Sequence, residues 1–569
     1  MSTGEPLSQD RRNALGLSMH QGLLLLCLFV ALALRLYGVS FGLPHLYYWD
    51  EPTVVNRAVR FGSGDFNPHF FYYPAFYMYC LFGVSGAYFA VGRVTGMFHS
   101  GQDFALQYFT DPSGLYLTVR AFTACIGTAA VAFVYLVGRR YFSARVGLVG
   151  AAIFAVLPLH VSHSHVAITD VPHALLICAA LLPLHEVLTQ GRARDYALAG
   201  LLIGLGGATK YLALVHLATL TVAHLLREPL RHDQSGLPAR LIAALASRML
   251  WLGYLATLLG FFFGSPYNVL ELPAFVADFR AQMALSAGDA GQGFLLLRNL
   301  PADCGWPACG LALFGAVRLL RDGSRKHLVL LTFPTLYCVL MLRMTKVFAR
   351  YLLPQSAFVC LLAAYGLSCV WEWLDAHTSR TQARFAQTGL LVMTLALPLW
   401  RSASWDALVA RPDDTRTLAL AWFERTVPAG SSVSLQSLYD RTFDNAPLVT
   451  DRVIARLERI IPSTGSMALV REQALARVRE GTVYTDVAWS EDPAALTRAR
   501  HVVLVDVYGE PSAAVRAWLK RHGRVVQAFV GPRPRAFTDL PANGAELLPL
   551  LPPNLTVYEI FDGNQRPPG

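Results

Sequence analysis

The chain has 569 residues, 54% of them hydrophobic and only 15% charged, with a mean hydropathy of +0.39. An ordinary soluble protein carries about a quarter charged residues, so that class is excluded and a polytopic helical membrane protein is expected. The net charge of +10 invites a nucleic-acid partner, but the basic residues sit in short loops between apolar runs, as the positive-inside bias requires, with no basic stripe and interleaved aromatics elsewhere.

Residues 1–400 carry repeated apolar runs of a length that crosses a bilayer, and 401–569 have soluble composition, so two domains are expected. Arg11-Arg12 ahead of Leu23–Leu34 has the look of a signal peptide; the many later spans make it an uncleaved signal-anchor. The first run is 21–39. Basic clusters at Arg11-Arg12, Arg139-Arg140, Arg192 with Arg194, Arg227, Arg321 with Arg325-Lys326, and Arg380 with Arg384 are placed in the cytoplasm. Parity then makes 40–114 a long outer loop, with 74–92 a juxtamembrane or re-entrant helix, since a full span there would put Arg139-Arg140 outside. Spans follow at 115–138, 146–161 and 170–189. Residues 197–226 have basic flanks on both sides, which predicts a hairpin of two half-spans turning at Lys210-Tyr211. Further spans are 249–266, 300–320, 328–343, 351–372 and 386–401, giving roughly eleven crossings, an inner N-terminus and an outer C-terminal domain.

That domain alternates helix and strand signals: helix Thr415–Arg425, strand Ser432–Leu435, strand Val502–Val507, helix Ala513–Arg521, strands Val525–Val530 and Leu555–Ile560. A small extracytoplasmic α/β domain is expected, without a Gly-rich phosphate loop after any strand. Of nine cysteines, Cys27, Cys125, Cys178, Cys338, Cys360 and Cys369 lie in apolar runs as small hydrophobes. Cys304 and Cys309 are close enough in sequence to pair, but no ligand set accompanies them, so no metal site and no cofactor is expected.

The chemistry-bearing residues gather at the outer ends of these runs. Tyr47-Tyr48-Trp49-Asp50-Glu51-Pro52 places two carboxylates just beyond the first span, among aromatic rings. Adjacent residues do not face each other on a helix, so one carboxylate acts and the other orients it; a plain helix cap is the alternative, and a cap also fixes the side chain. Asn67-Pro68-His69-Phe70-Phe71-Tyr72-Tyr73-Pro74 reads as an interface belt or a sugar-stacking platform, with His69 and Tyr73 its substrate-binding candidates. Ser162-His163-Ser164-His165 leads to Thr169-Asp170-Val171-Pro172 at a span start. Asp170 is there a second active-site carboxylate or an N-cap, and His165 a substrate contact; a metal is the less favoured use of the pair of histidines. Lys210-Tyr211 and Arg350-Tyr351 each set a cation beside a phenol at an outer boundary, with Lys346 four residues before Arg350. Either these cations snorkel or they meet a phosphate.

Four segments together resemble the polytopic GT-C glycosyltransferases, the group that includes protein O-mannosyltransferases and aminoarabinose transferases, and most of all their bacterial family-39-like members. They are Asp50-Glu51-Pro52 with Asn67-Pro68 and Tyr73-Pro74, Ser164-His165 through Pro172, Gly200–Lys210-Tyr211, and Arg350-Tyr351-Leu352-Leu353-Pro354. Many relatives have His-Pro before the acidic pair where this chain has Tyr48-Trp49. The resemblance implies a membrane enzyme of the bacterial inner membrane. It would transfer a hexose or pentose from a polyprenyl-phosphate carrier to a hydroxyl of a protein, lipid or glycan at the outer face, with inversion. It implies Asp50, Glu51 and Asp170 as catalytic residues and Lys210, Arg350 and Lys346 as the donor-phosphate site. His69, Tyr73, His165, Tyr211 and Tyr351 would contact substrate. The alternative is a transporter or lipid flippase, which would set its charges near the bilayer midplane on broken helices.

Overall fold

The computed structural model describes residues 7–227, 237–285, 293–344, 348–436, 445–490, 492–506, 513–532 and 552–561. The chain divides into two compact units. One is Met1–Tyr37, Phe61–Cys80 and Phe122–Ala403; the other is Gly38–Arg60, Leu81–Ala121 and Ser404–Gly569. Among the described residues six helices are long and apolar enough to cross a membrane: Met19–Leu36, Ser113–Tyr141, Asp170–Thr189, Leu241–Gly264, Arg325–Leu342 and Ala349–His377. Two shorter apolar helices are Ala144–Ala155 and Tyr211–Leu225. The protein is therefore an integral membrane protein. The segment expected at 74–92 forms the helix Phe76–Val94 and is not one of the six.

In the first unit, glycine and proline decide where helices stop. The run expected to span at 146–161 ends its helix at Ala155 and restarts as Pro158–His163, because Pro158 has no N–H to carry the ladder through. The run at 300–320 divides at Gly305, whose φ of 80° only glycine adopts without strain. Helices Gly293–Cys304 and Trp306–Asp322 flank it, and Cys304 and Cys309 are free thiols. The expected half-spans of 197–226 are met by a break: helix Ala193–Gly207, one 3-10 turn Tyr211–Val215, then helix His216–Leu225. A Cβ on Gly200 or Gly204 would run into the carbonyls of Gly253 and Thr257. Helices Ala193–Gly207 and Arg248–Gly264 thus close on small residues, as membrane helices do when no hydrophobic force joins them.

The second unit contains a six-stranded sheet of order β2-β3-β1-β4-β6-β5. Its strands are β1 Ser432–Gln436, β2 Val449–Thr450, β3 Val483–Asp486, β4 His501–Asp506, β5 Gly523–Phe529 and β6 Asn554–Ile560. β1 pairs in parallel with β3 and β4, and β2 with β3; β6 is antiparallel to β4 and β5. The continuous apolar run of β4 is a strand buried on both faces: Val503 and Val505 join a core with Phe423, Val433 and Val557, while Val502 and Leu504 join another with Val515 and Leu519. Helices Asp451–Ile460 and Met467–Arg479 close over Ala105, Leu106 and Phe109 of the helix Gly101–Thr110.

Candidate active site

In the first unit, Asp170 opens the helix Asp170–Thr189, where a carboxylate meets the positive end of the helix dipole. Lys210 sits on the break after Ala193–Gly207, its backbone N–H held by the Gly206 carbonyl at 2.9 Å. From there its ammonium donates to Asp170 Oδ1 at 2.6 Å, with Asp170 buried and Lys210 half-buried. The same ammonium lies 4.9 Å from the centre of the Tyr351 ring, a cation–π contact that strengthens where water is excluded. Tyr337 donates its hydroxyl to the Tyr351 carbonyl at 2.9 Å and so pins that residue. Arg350 is 7% exposed, stacked over Phe348 at 4.4 Å, and its charge, like that of Lys210, acts on Asp170. A guanidinium buried this way is not a snorkelling side chain. Asp170, Lys210, Arg350 and Tyr351 are thus brought together from three separate stretches of sequence. Lys346 lies outside the described residues.

Around this centre the predicted substrate contacts have definite partners. The Tyr211 hydroxyl donates to the Phe71 carbonyl at 2.8 Å and accepts from Asn268 at 2.9 Å. Asp278 accepts from the Phe71 N–H at 2.8 Å. The aromatic stretch 67–74 is therefore tied to the Lys210-Tyr211 turn. Tyr73 stands edge-on to Phe70 at 5.8 Å. His69 has φ 47° and contacts Asp65 at 2.9 Å. His165 is fully buried, one ring nitrogen 2.9 Å from the Val161 carbonyl and the other 2.9 Å from that of Tyr37. Arg35, inside the first apolar helix, donates to the carbonyls of Ala31 and Ala155 and to His160 Nδ1. Among the described residues no group of three His, Cys, Asp or Glu is arranged to hold a metal ion.

Asp50 and Glu51 belong to the second unit and open the helix Asp50–Arg60. Glu51 is fully buried against an equally buried Arg120. The guanidinium donates to both carboxylate oxygens, at 2.9 and 2.7 Å. It also donates to the carbonyls of Val39 and Phe41, at 3.0 and 2.8 Å, and lies over the Phe41 ring. Asp50 stays half-buried. The loop ahead of it is held by Arg416, paired with Asp414 and stacked 3.8 Å over the Tyr47 ring, and by the Tyr47 hydroxyl against Thr417 at 2.8 Å. Tyr48 and Trp49 stack at 5.8 Å. Burial holds His45 below its ordinary pKa, with Asp414 and Asp111 pulling the other way, so its ring is neutral at pH 7. Sequence reading passed over Arg120 and Arg35; an arginine inside an apolar run is the signal that marks them.

Residues 115–263 match the profile of the dolichyl-phosphate-mannose-protein mannosyltransferase family. No curated protein matches the chain. Among solved structures the chain is similar to the Archaeoglobus fulgidus oligosaccharyltransferase in its apo form, at 13% identity and a TM-score of 0.49, over 89% of this chain and 72% of that one. It is similar also to ArnT from Cupriavidus metallidurans bound to undecaprenyl phosphate, at 15% identity and a TM-score of 0.48, over 97% and 99% of the two chains. The likeness to the polytopic GT-C glycosyltransferases is thus carried by the family match over residues 115–263, a stretch that holds Arg120, Asp170, Lys210 and Tyr211.

Proposed function

We propose that the protein is an inverting membrane glycosyltransferase that takes a sugar from a polyprenyl-phosphate carrier and passes it to an acceptor hydroxyl at the outer face of the membrane. The observation that carries this reading is the pairing of Lys210 with the buried Asp170, under the field of Arg350, at the start of an apolar helix and partly within the matched family stretch. The chemistry asks for little else. The acceptor oxygen bonds to the anomeric carbon from the face opposite the phosphate. The anomeric carbon–oxygen bond breaks, and its electron pair leaves on the carrier phosphate. The hydroxyl proton passes to the Asp50 carboxylate, and later to water. A phosphate leaving group needs charge stabilisation rather than a proton, which Lys210 and Arg350 supply; one general base suffices. Asp170 positions the ammonium of Lys210, and Glu51, held at both oxygens by Arg120, fixes the segment that carries Asp50. Purified protein incubated with a panel of polyprenyl-phosphate sugars should yield a glycosylated acceptor by mass spectrometry. Absence of both transfer and donor cleavage across the panel removes the reading.

Arg350 separates phosphate binding from simple packing. Its planar fork holds two phosphate oxygens where a lysine offers a point charge. Arg350→Lys should lower kcat/KM for the donor about tenfold or more, the worth of one charge-assisted hydrogen bond, and Arg350→Ala should lower it further. Unchanged kcat/KM in both variants rules the role out.

The loop charges support an inner N-terminus and an outer C-terminal domain, and the resemblance to bacterial family-39-like members supports a bacterial plasma membrane. A cysteine introduced at Ser432 should react with an impermeant maleimide in intact cells, and one at Ser324 should not; the reverse pattern inverts the topology.

A further inference from the structure

We infer that the α/β part of the second unit holds a binding cavity for a phosphate-bearing saccharide and that this cavity selects the acceptor, the second half resting on the glycosyltransferase reading above. The cavity measures about 870 Å³, within the usual span of small-ligand sites. Leu435, Thr450 and Asp486 line it, and they stand at the carboxyl ends of the parallel strands β1, β2 and β3. In the sheet β1 lies next to β3, and β3 next to β2, so the cavity sits over one side of the sheet. Space beyond the carboxyl ends of parallel strands is where open α/β sheets take ligands.

The wall chemistry names the ligand class. Arg452, Arg456 and Arg459 line the cavity from the helix Asp451–Ile460. Their spacing of four and then three residues sets them on one helix face, while Leu457 packs the other face against Ile461 and Val470. Arg452 lies 3.9 Å from Asp486. Among the described residues no carboxylate pairs with Arg456 or Arg459. Planar guanidinium groups in a row suit phosphate oxygens. Trp489, half-buried, adds an aromatic face on the same cavity, and a sugar ring has an apolar face to lay on it. Charge on one wall and an indole on another fit a phosphorylated saccharide better than free phosphate or a bare hydrocarbon.

The cavity is also joined to the segment that carries Asp50. His45 forms part of its wall and stacks on Tyr47 at 5.9 Å. The Arg456 charge acts on Tyr108. The hydroxyls of Tyr108 and Tyr116 both donate to Asn56 Oδ1, at 2.6 and 2.9 Å, and Asn56 belongs to the helix that Asp50 opens. A saccharide seated among the arginines therefore lies beside the chain leading to the proposed base.

The test uses the full-length protein in detergent, titrated calorimetrically without donor against a phosphorylated pentamannose, its neutral counterpart and inorganic phosphate. The phosphorylated sugar should bind about tenfold or more tighter than either. Arg456→Gln/Arg459→Gln, a surface change on an exposed helix face, should remove that advantage, and Trp489→Ala should weaken both sugars. Equal affinity for the two sugars, equal affinity for phosphate alone, or an unaltered advantage in the double variant overturns the cavity. Donor cleavage in the absence of acceptor is followed in parallel. The double variant should leave it unchanged while raising the acceptor KM about tenfold or more. Arginine-dependent binding in a protein that cleaves no donor would keep the cavity and remove the glycosyltransferase reading; donor cleavage without phosphate-dependent binding would do the opposite.

Discussion

Asp50→Asn should lower turnover about 10²–10⁴-fold, the usual worth of a general base, with thermal stability close to that of the parent. Asparagine keeps the shape and caps a helix start as well as aspartate does, so the fold loses little. What disappears is the basicity. Glu51 is poorly placed to substitute, since Arg120 holds both of its oxygens and no face of it meets water. Asp170 is likewise bound to Lys210. Single-turnover transfer, with expression and melting temperature measured alongside, decides the matter. Near-normal transfer by Asp50→Asn would assign the proton to Asp170 or to water.

The membrane part was legible where composition alone determines it. The helix Asp170–Thr189 was read to the residue, because Thr169-Asp170 and Pro172 mark its start and Gln190-Gly191 follow its end. The break at Lys210 was legible from basic residues at both ends of the run 197–226, which a single full crossing would have put on opposite sides. Hydropathy did not show the interruptions at Pro158 and Gly305, since an apolar window averages over one proline or one glycine. In the α/β part, β1, β4, β5 and β6 carry apolar alternation or runs and were read within one or two residues. β2 is only two residues long and offers no core pattern to recognise; the helix Asp451–Ile460 does carry apolar residues at helical spacing, Ile454 and Leu457 followed by Ile461, and went unread.

For the candidate site, residue type was legible and partnership was not. Asp50-Glu51, Asp170, Lys210 and Arg350 stand out as charges at the ends of apolar runs. Nothing in the sequence says that Glu51 pairs with Arg120, 69 positions away, or that Lys210 reaches back 40 positions to Asp170. Such pairs depend on helix packing, which turns on close approaches like that of Gly200 and Gly204 to a neighbouring backbone. Arg120 could still have been singled out, because an arginine inside an apolar run is costly unless a buried acceptor waits for it.

Arg120→Ala should destabilise the protein by about 3–5 kcal/mol, the cost of leaving one member of a buried ion pair without its partner. Glu51 would keep a carboxylate in a fully enclosed place, where a lone charge is strongly disfavoured. The Val39 and Phe41 carbonyls would lose their donor as well, loosening the loop that leads to Asp50. Arg120→Lys should fall between the two, because one ammonium cannot serve two carboxylate oxygens and two carbonyls at once. The double variant Glu51→Leu/Arg120→Met removes both charges together. It should recover part of the stability lost by Arg120→Ala, since well-packed apolar side chains replace buried pairs at small cost. It should not recover activity if Glu51 and Arg120 act by fixing the Asp50 segment. Thermal unfolding of the purified variants in detergent, read beside donor turnover, tests both halves. An Arg120→Ala protein that melts with the parent would show that the buried pair does not hold this segment in place.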